Sequence, residues 1–439
     1  MSGGAIAFLG FAAMLALIAL RMPVALAMWV VGVAGYVHFM GVPAFMQWIK
    51  TTPYHLFANF TLSVIPLFIL MGAFAEKSGL STLLFRAAAA VVGHRRGGLA
   101  MGVIGACTAF GAICGSSVAT TATFGRAALP ELDRHGYAGR LATGTIAVGG
   151  TLGILIPPSV ILVVYAISTD QNIAKLFMAA LVPGLLAALS YCVVIAIVVA
   201  RNPTLAPPAP KASRAERVAA LVRVWPALLI AIVVVGGIYG GVFTPTEGAS
   251  VGCAGMLVVG LAMRTLGWEE IKTSLVQTAE TSAMIFAIIL GAEIFNGFLV
   301  LSQVPSDIAR WMQDSGLSPY TILVLMLVTY VILGALMDEL AMILLTLPIF
   351  FPVVAALDFG MTPDETAIWF GILVLIVVGI GLTAPPIGLN VFVISALAKN
   401  VPIAETYKGV LPFVAADLIR LALVTAFPAV CLAMVRWLS

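Results

Sequence analysis

Five hydroxyl residues, two adjacent acids and two proline pairs are the groups in this chain that could do chemistry, and all of them lie within apolar sequence. Ser116, Ser117, Thr120, Thr121 and Thr123 cluster behind Cys114 and Gly115. Hydroxyls at tight glycine turns offer ligands to a small hard cation and hydrogen bonds to a polar solute. Asp338 and Glu339 stand side by side in a second apolar stretch. Carboxylates at bilayer depth are costly and mark ion or solute pathways, and Asp338 beside an ion site would favour cation binding. Pro157-Pro158 follows Gly149, Gly150 and Gly153, and Pro385-Pro386 follows Gly379 and Gly381, with Asn390 shortly beyond. Each pair deletes two helical N–H donors and frees upstream carbonyls, which suit sodium, while the half-helix N-termini created there suit a carboxylate. The Asn390 amide can serve either ligand.

These features come in matched sets. Leu129-Pro130 closes the segment that begins with the first polar cluster, and Leu347-Pro348 closes the segment that begins with the acids; Pro183 and Pro412 follow the two breaks. Paired Gly/Pro-broken apolar segments in two halves of a chain point to a transporter's binding site.

The elements that position these residues must be membrane helices. The hydrophobic fraction is 62%, the charged fraction 9% and the mean hydropathy +1.13. A soluble domain of this size could not carry those values without very large exposed apolar patches. Apolar runs of bilayer-spanning length recur from end to end and do not alternate as barrel strands do, so the expected class is an all-α polytopic membrane protein. The first run has no positive n-region or small-residue cleavage site and reads as a retained helix. The net charge of +3 gives no reason to expect nucleic acid. The five cysteines have no CxxC spacing, the four histidines no HExxH arrangement, and no Gly-Lys dipeptide exists for a P-loop. No cofactor is expected, and energy for transport would come from an ion gradient.

A Pro-, Ala- and Arg-rich segment, residues 201–224, divides the chain. Its Arg201, Lys211, Arg214, Arg217 and Arg223 place it in the cytoplasm, and the same rule places the N-terminus on the periplasmic side. Threading the remaining runs gives two re-entrant hairpins of opposite orientation, residues 99–125 and 321–354, each followed by a broken helix, residues 141–168 and 366–398. Two inverted-topology repeats result, residues 1–200 and 225–439. Amphipathic stretches at residues 80–92 and 305–313 read as interfacial helices framing a moving part. Glu280 with Glu293, and Asp417 with Arg420, are expected to be structural pairs or subunit contacts.

The whole chain resembles the large membrane subunit (DctM-type) of tripartite ATP-independent periplasmic (TRAP) transporters. The carrying residues are Gly115-Ser116-Ser117 with Ala128-Leu129-Pro130-Glu131, Gly153 through Pro157-Pro158-Ser159, Met337-Asp338 with Leu345-Thr346-Leu347-Pro348, and Pro385-Pro386-Ile387-Gly388-Leu389-Asn390. The resemblance implies an elevator-type, sodium-driven transporter of the bacterial inner membrane. It would take up a small organic acid, such as a C4-dicarboxylate or sugar acid, with a small membrane subunit (Q type) and a periplasmic substrate-binding protein (P type). With the repeat, it implies one sodium site at Ser116, Ser117, Gly149, Gly150 and Pro157, and a second at Asp338, Thr383, Ala384 and Pro385. The substrate would sit between them near Ser117, Thr120, Pro158, Ser159 and Asn390. Two other readings are a self-sufficient sodium/dicarboxylate or citrate symporter and a non-transporting docking subunit. Uptake by this chain alone would select the first; a scaffold has no need of broken helices in both halves.

Overall fold

The computed structural model describes residues 3–304, 306–308, 310 and 316–438, and these are helical almost throughout. Among the described residues nine helices are long and apolar enough to cross a membrane, and one further pair, bent by 44° at a break, reaches that length and hydropathy when its two helices are taken together.

The first half runs α1 (Gly3–Ala19), α2 (Val24–Phe57), a 3-10 turn (Phe60–Ser63), α3 (Val64–Lys77), α4 (Leu80–Val92), α5 (Gly98–Cys114), α6 (Ser117–Arg134), α7 (Gly139–Leu155), α8 (Val160–Ser168) and α9 (Ile173–Arg201). The second runs α10 (Arg214–Tyr239), α11 (Pro245–Ala262), α12 (Trp268–Leu301), α13 (Pro319–Gly334), α14 (Glu339–Ala356), α15 (Pro363–Gly381), α16 (Leu389–Leu397), α17 (Ile403–Ala426) and α18 (Ala429–Leu438). The same order of hairpin, broken helix and long helix thus occurs twice. The expected interfacial stretch 305–313 falls largely outside the described residues.

Local chemistry sets the helix boundaries. Ser213 and Thr244 each form a capping box with the glutamate three residues on, Glu216 and Glu247, and Thr362 does the same with Glu365. At Gly41 the backbone leaves the helical region (φ 81°, ψ 164°) and α2 kinks there, ahead of Pro43. The matching helix α12 is unbroken over 34 residues, about 50 Å and longer than a bilayer core is thick.

The helices sort into two bodies. A scaffold forms where α2 packs along α12: the Trp29 indole donates to the Ala287 carbonyl at 3.2 Å, and small residues let the backbones approach. A side chain at Gly291 would meet Ala25 O at 2.9 Å. The second body holds both hairpins and both broken helices. At its centre α15 is buried at every position from Thr366 to Gly381, and α7 from Leu141 to Leu155. A helix apolar on all sides must be covered on all sides if it is not to face lipid alone. Across this core the Thr406 hydroxyl of α17 donates to Thr143 of α7 at 3.0 Å, so the two halves interlock.

Two expectations are corrected. The segment 201–224 is not all linker, because α10 begins at Arg214 with its own capping box. The part before it is pinned to the second body through Ala138 N–H to Leu205 O (2.9 Å) and Ala209 N–H to Gly93 O (2.9 Å). Nor are Glu280 and Glu293 paired: neither makes an ion pair among the described residues, Glu280 is exposed, and Glu293 is half-buried on a cavity wall. Both lie on α12, thirteen positions apart in sequence, too far for a helical i,i+4 contact. Asp417 and Arg420 do pair, at 2.8 Å, both buried.

Candidate functional site

The first hairpin turns at Gly115, whose positive φ of 65° suits glycine. Ser116 then caps α6, its Oγ accepting from Ala119 N–H at 3.4 Å. The tip rests on the break in α7–α8. A side chain added at Gly115 would meet Pro158 O at 3.0 Å, one at Gly111 would meet Leu152 O at 2.7 Å, and one at Gly153 would meet Ser116 O at 2.5 Å. Glycines therefore let the hairpin seat directly on the broken helix. Because Pro157 and Pro158 have no N–H, the carbonyls of Gly153 and Ile154 lose their helical partners. The break is fully buried.

The second hairpin turns between α13 and α14 and also seats on its broken helix through glycine, since a side chain at Gly381 would approach the Gly334 carbonyl carbon at 2.5 Å. Asp338 caps α14, its Oδ1 accepting from Ala341 N–H at 3.0 Å. The Thr383 hydroxyl turns back to the Ile380 carbonyl at 3.1 Å, and Asn390 N–H donates to Leu382 O at 3.0 Å. Pro385 and Pro386 are exposed. Their loop is tied to α17 by the Tyr407 hydroxyl, which donates to Pro386 O at 3.0 Å and Ile387 O at 2.6 Å.

Asn390 joins the two units. Its Nδ2 donates to Ser117 Oγ at 2.7 Å and to Ala147 O at 3.0 Å. Its Oδ1 is buried without a partner, as are Thr121 Oγ1 and Ser159 Oγ. Buried polar atoms left unpaired are costly, so these three oxygens are available to a polar ligand or to water. Among the described residues no group of three or more His, Cys, Asp or Glu could hold a metal. The oxygens on offer are hydroxyls, an amide and carbonyls, a hard donor set that suits an alkali cation.

A cavity of about 450 Å³ lies between the two tips. The tips contribute Cys114, Gly115, Ser116, Asp338 and Glu339; α3 contributes Gly72 and Glu76, and α12 contributes Gln277, Thr281 and Met284. Helices α3 and α12 thus wall the space between the hairpin tips. Of the residues expected at the site, Ser116 and Asp338 line this cavity. Ser117, Thr120, Gly149, Gly150, Pro157, Pro158, Ser159 and Asn390 are gathered behind it, buried in the second body. Thr383 and Ala384 are buried in the other break, and Pro385 faces out.

Two contacts escaped the sequence reading. Arg126 of α6 and Glu76 of α3 form an ion pair at 2.7 Å, crossing from the first hairpin to α3 beside the cavity. Each charge ends an apolar run and looked like an ordinary flank. The second is the bond from Tyr191 of α9 to Asp417 at 2.8 Å, with Tyr191 also 3.2 Å from Thr151 of α7, so the Asp417–Arg420 pair reaches the broken helix.

Residues 11–430 match the family described as the tripartite ATP-independent periplasmic transporter, DctM component. The chain belongs to this family. It is 40% identical over 382 residues, 87% of each chain, to the C4-dicarboxylate TRAP transporter large permease protein DctM of Pseudomonas aeruginosa. It is 34% identical, over 85% of its length and 58% of the relative's, to the isethionate TRAP transporter permease protein DctMQ of Oleidesulfovibrio alaskensis. In fold it resembles the YdaH transporter of Alcanivorax borkumensis, with a TM-score of 0.63, 15% identity and 90% coverage of both chains. The protein is thus a multi-pass TRAP large permease subunit and not an enzyme.

Proposed function

We propose that this permease carries a small organic acid inward across the bacterial inner membrane, coupled to sodium, with a small membrane subunit and a periplasmic binding protein that delivers the substrate. The observation that carries the reading is the meeting of the first hairpin and both broken helices at Asn390, Ser117 and Ala147, where buried oxygens lack partners behind a cavity that the tips of both hairpins line. One sodium ion is held by the first hairpin and its break, through Ser116, Ser117 and the carbonyls near Gly149, Gly150 and Pro157. A second is held near Asp338, Thr383, Ala384 and Pro385. The substrate lies between them, toward Thr120, Pro158, Ser159 and Asn390. The hairpin body moves against the scaffold in an elevator-like step, and the two halves have inverted topology.

A C4-dicarboxylate is supported by the similarity to the Pseudomonas aeruginosa permease, and partnership with a small membrane subunit by the similarity to a permease named DctMQ. The test is uptake of labelled carboxylates and sugar acids into proteoliposomes, with and without an inward sodium gradient, the partner proteins being added one at a time. Sodium-driven uptake only with all components present is expected. Uptake by this chain alone would make it a self-sufficient symporter, and sodium-independent uptake would overturn the coupling.

A further inference from the structure

The cavity between the hairpin tips is charged with one sign. Its walls carry Glu76, Asp338 and Glu339, with Ser116, Gln277 and Thr281 as neutral polar groups, and among the described residues no Lys, Arg or His lines it. Glu76 is answered by Arg126. Asp338 spends an oxygen on the N-terminus of its own helix α14, where a carboxylate matches the positive end of the helix dipole. Glu339 has no such answer. It makes no ion pair among the described residues, and its Oε2 is buried with no hydrogen-bond partner. A carboxyl group placed this way is ionised when whatever fills the cavity brings a positive, hydrogen-bonding group to it. The first hairpin supplies the complement. Helix α6 has no acidic residue in its first turn, and its cap Ser116, which lines the cavity, takes only the Ala119 N–H through a long bond, so the positive end of the helix has no counter-charge of its own and suits an anion.

We propose that the solute taken by this cavity is zwitterionic, with an amino, guanidino or amidino group set against Glu339 and a carboxylate or sulfonate set toward Ser116. This rests on the transport reading above and narrows its substrate class away from simple dianions. A coupling cation is the other possible source of positive charge, and the test separates the two.

The test measures binding of γ-aminobutyrate, taurine and succinate to the purified complex of large and small subunits, in sodium and in potassium, by equilibrium titration and thermal unfolding. Wild type should bind at least one of the zwitterions more tightly than succinate. Glu339→Gln should weaken that zwitterion roughly tenfold or more, make succinate binding no weaker, leave the half-saturating sodium concentration within its wild-type range, and be rescued by Glu339→Asp. If Glu339→Gln does not fold, the wild-type preference alone decides. Preference for succinate, or no binding of either zwitterion, overturns the proposal. So does a Glu339→Gln variant that loses sodium affinity but keeps the zwitterion, which would assign Glu339 to the coupling ion. Sodium-driven uptake of a dianion by the complete system would sink this proposal and leave the transport reading intact. Absence of sodium-driven uptake of any solute would sink the transport reading itself.

Discussion

The two hairpin units share a backbone device and differ in chemistry and in exposure. The first turns on Ser116, a neutral cap, and lies over a break whose Pro157 and Pro158 are buried. The second turns on Asp338 with Glu339 beside it, and its Pro385 and Pro386 are exposed. The glycine contacts are equivalent: Gly153 seats the first hairpin and Gly381 the second, at matching distances from the two proline pairs. Internal repetition therefore preserves how a hairpin meets its broken helix and leaves free what the tip presents. The neutral, sealed unit suits an anion and a desolvated ion; the acidic, open unit suits a cation reached from outside the body.

The shared part of the comparison breaks most severely at the glycines. Gly153→Val and Gly381→Val each drive a side chain into hairpin backbone, at a cost of about 3 kcal/mol or more where backbone must move. Uptake should fall to background in both, whereas Gly105→Ala, which meets nothing within 4 Å, should transport normally. A second tier concerns the brace behind the first break. Arg420→Met leaves buried Asp417 without its cation and should cost about 3–5 kcal/mol, seen as a lowered unfolding temperature in detergent. Adding Asp417→Asn should recover most of that loss.

The join between the units is weaker. Asn390→Ala removes two hydrogen bonds and leaves Ser117 Oγ and Ala147 O without that donor, about 1–3 kcal/mol, and should lower uptake on the order of tenfold. Arg126→Gln sits at the small end, because the arginine is 55% exposed and such pairs contribute about 0–1 kcal/mol. Its expected signature is a flatter dependence of uptake on ionic strength, with little change in thermal stability.

The hairpins and breaks were legible in the sequence because glycine and proline at bilayer depth are too costly to keep without a use. The bond from Asn390 to Ser117 was legible only as a capacity. The partners are 273 positions apart, and their meeting depends on how the two halves dock. The start of α10 was written in Ser213 and Glu216 but masked by the Pro- and Arg-rich composition around it. Glu76 and Arg126 carried no local signal, since either charge at a helix end is what any span shows. Glu280 and Glu293 mislead for a related reason: acids on one apolar helix suggest a pair, yet their spacing puts Glu293 on a cavity wall and Glu280 on an exposed face.

The claim that the two units hold separate sodium ions around one solute is tested most directly by sodium titration of uptake in the reconstituted complex, comparing wild type with Ser117→Ala and Asp338→Asn. Wild type should show a steeper than hyperbolic dependence on sodium. Each variant should raise the half-saturating sodium concentration and flatten the curve, while a folded state is verified by thermal unfolding. An unchanged sodium dependence in both variants would contradict the account.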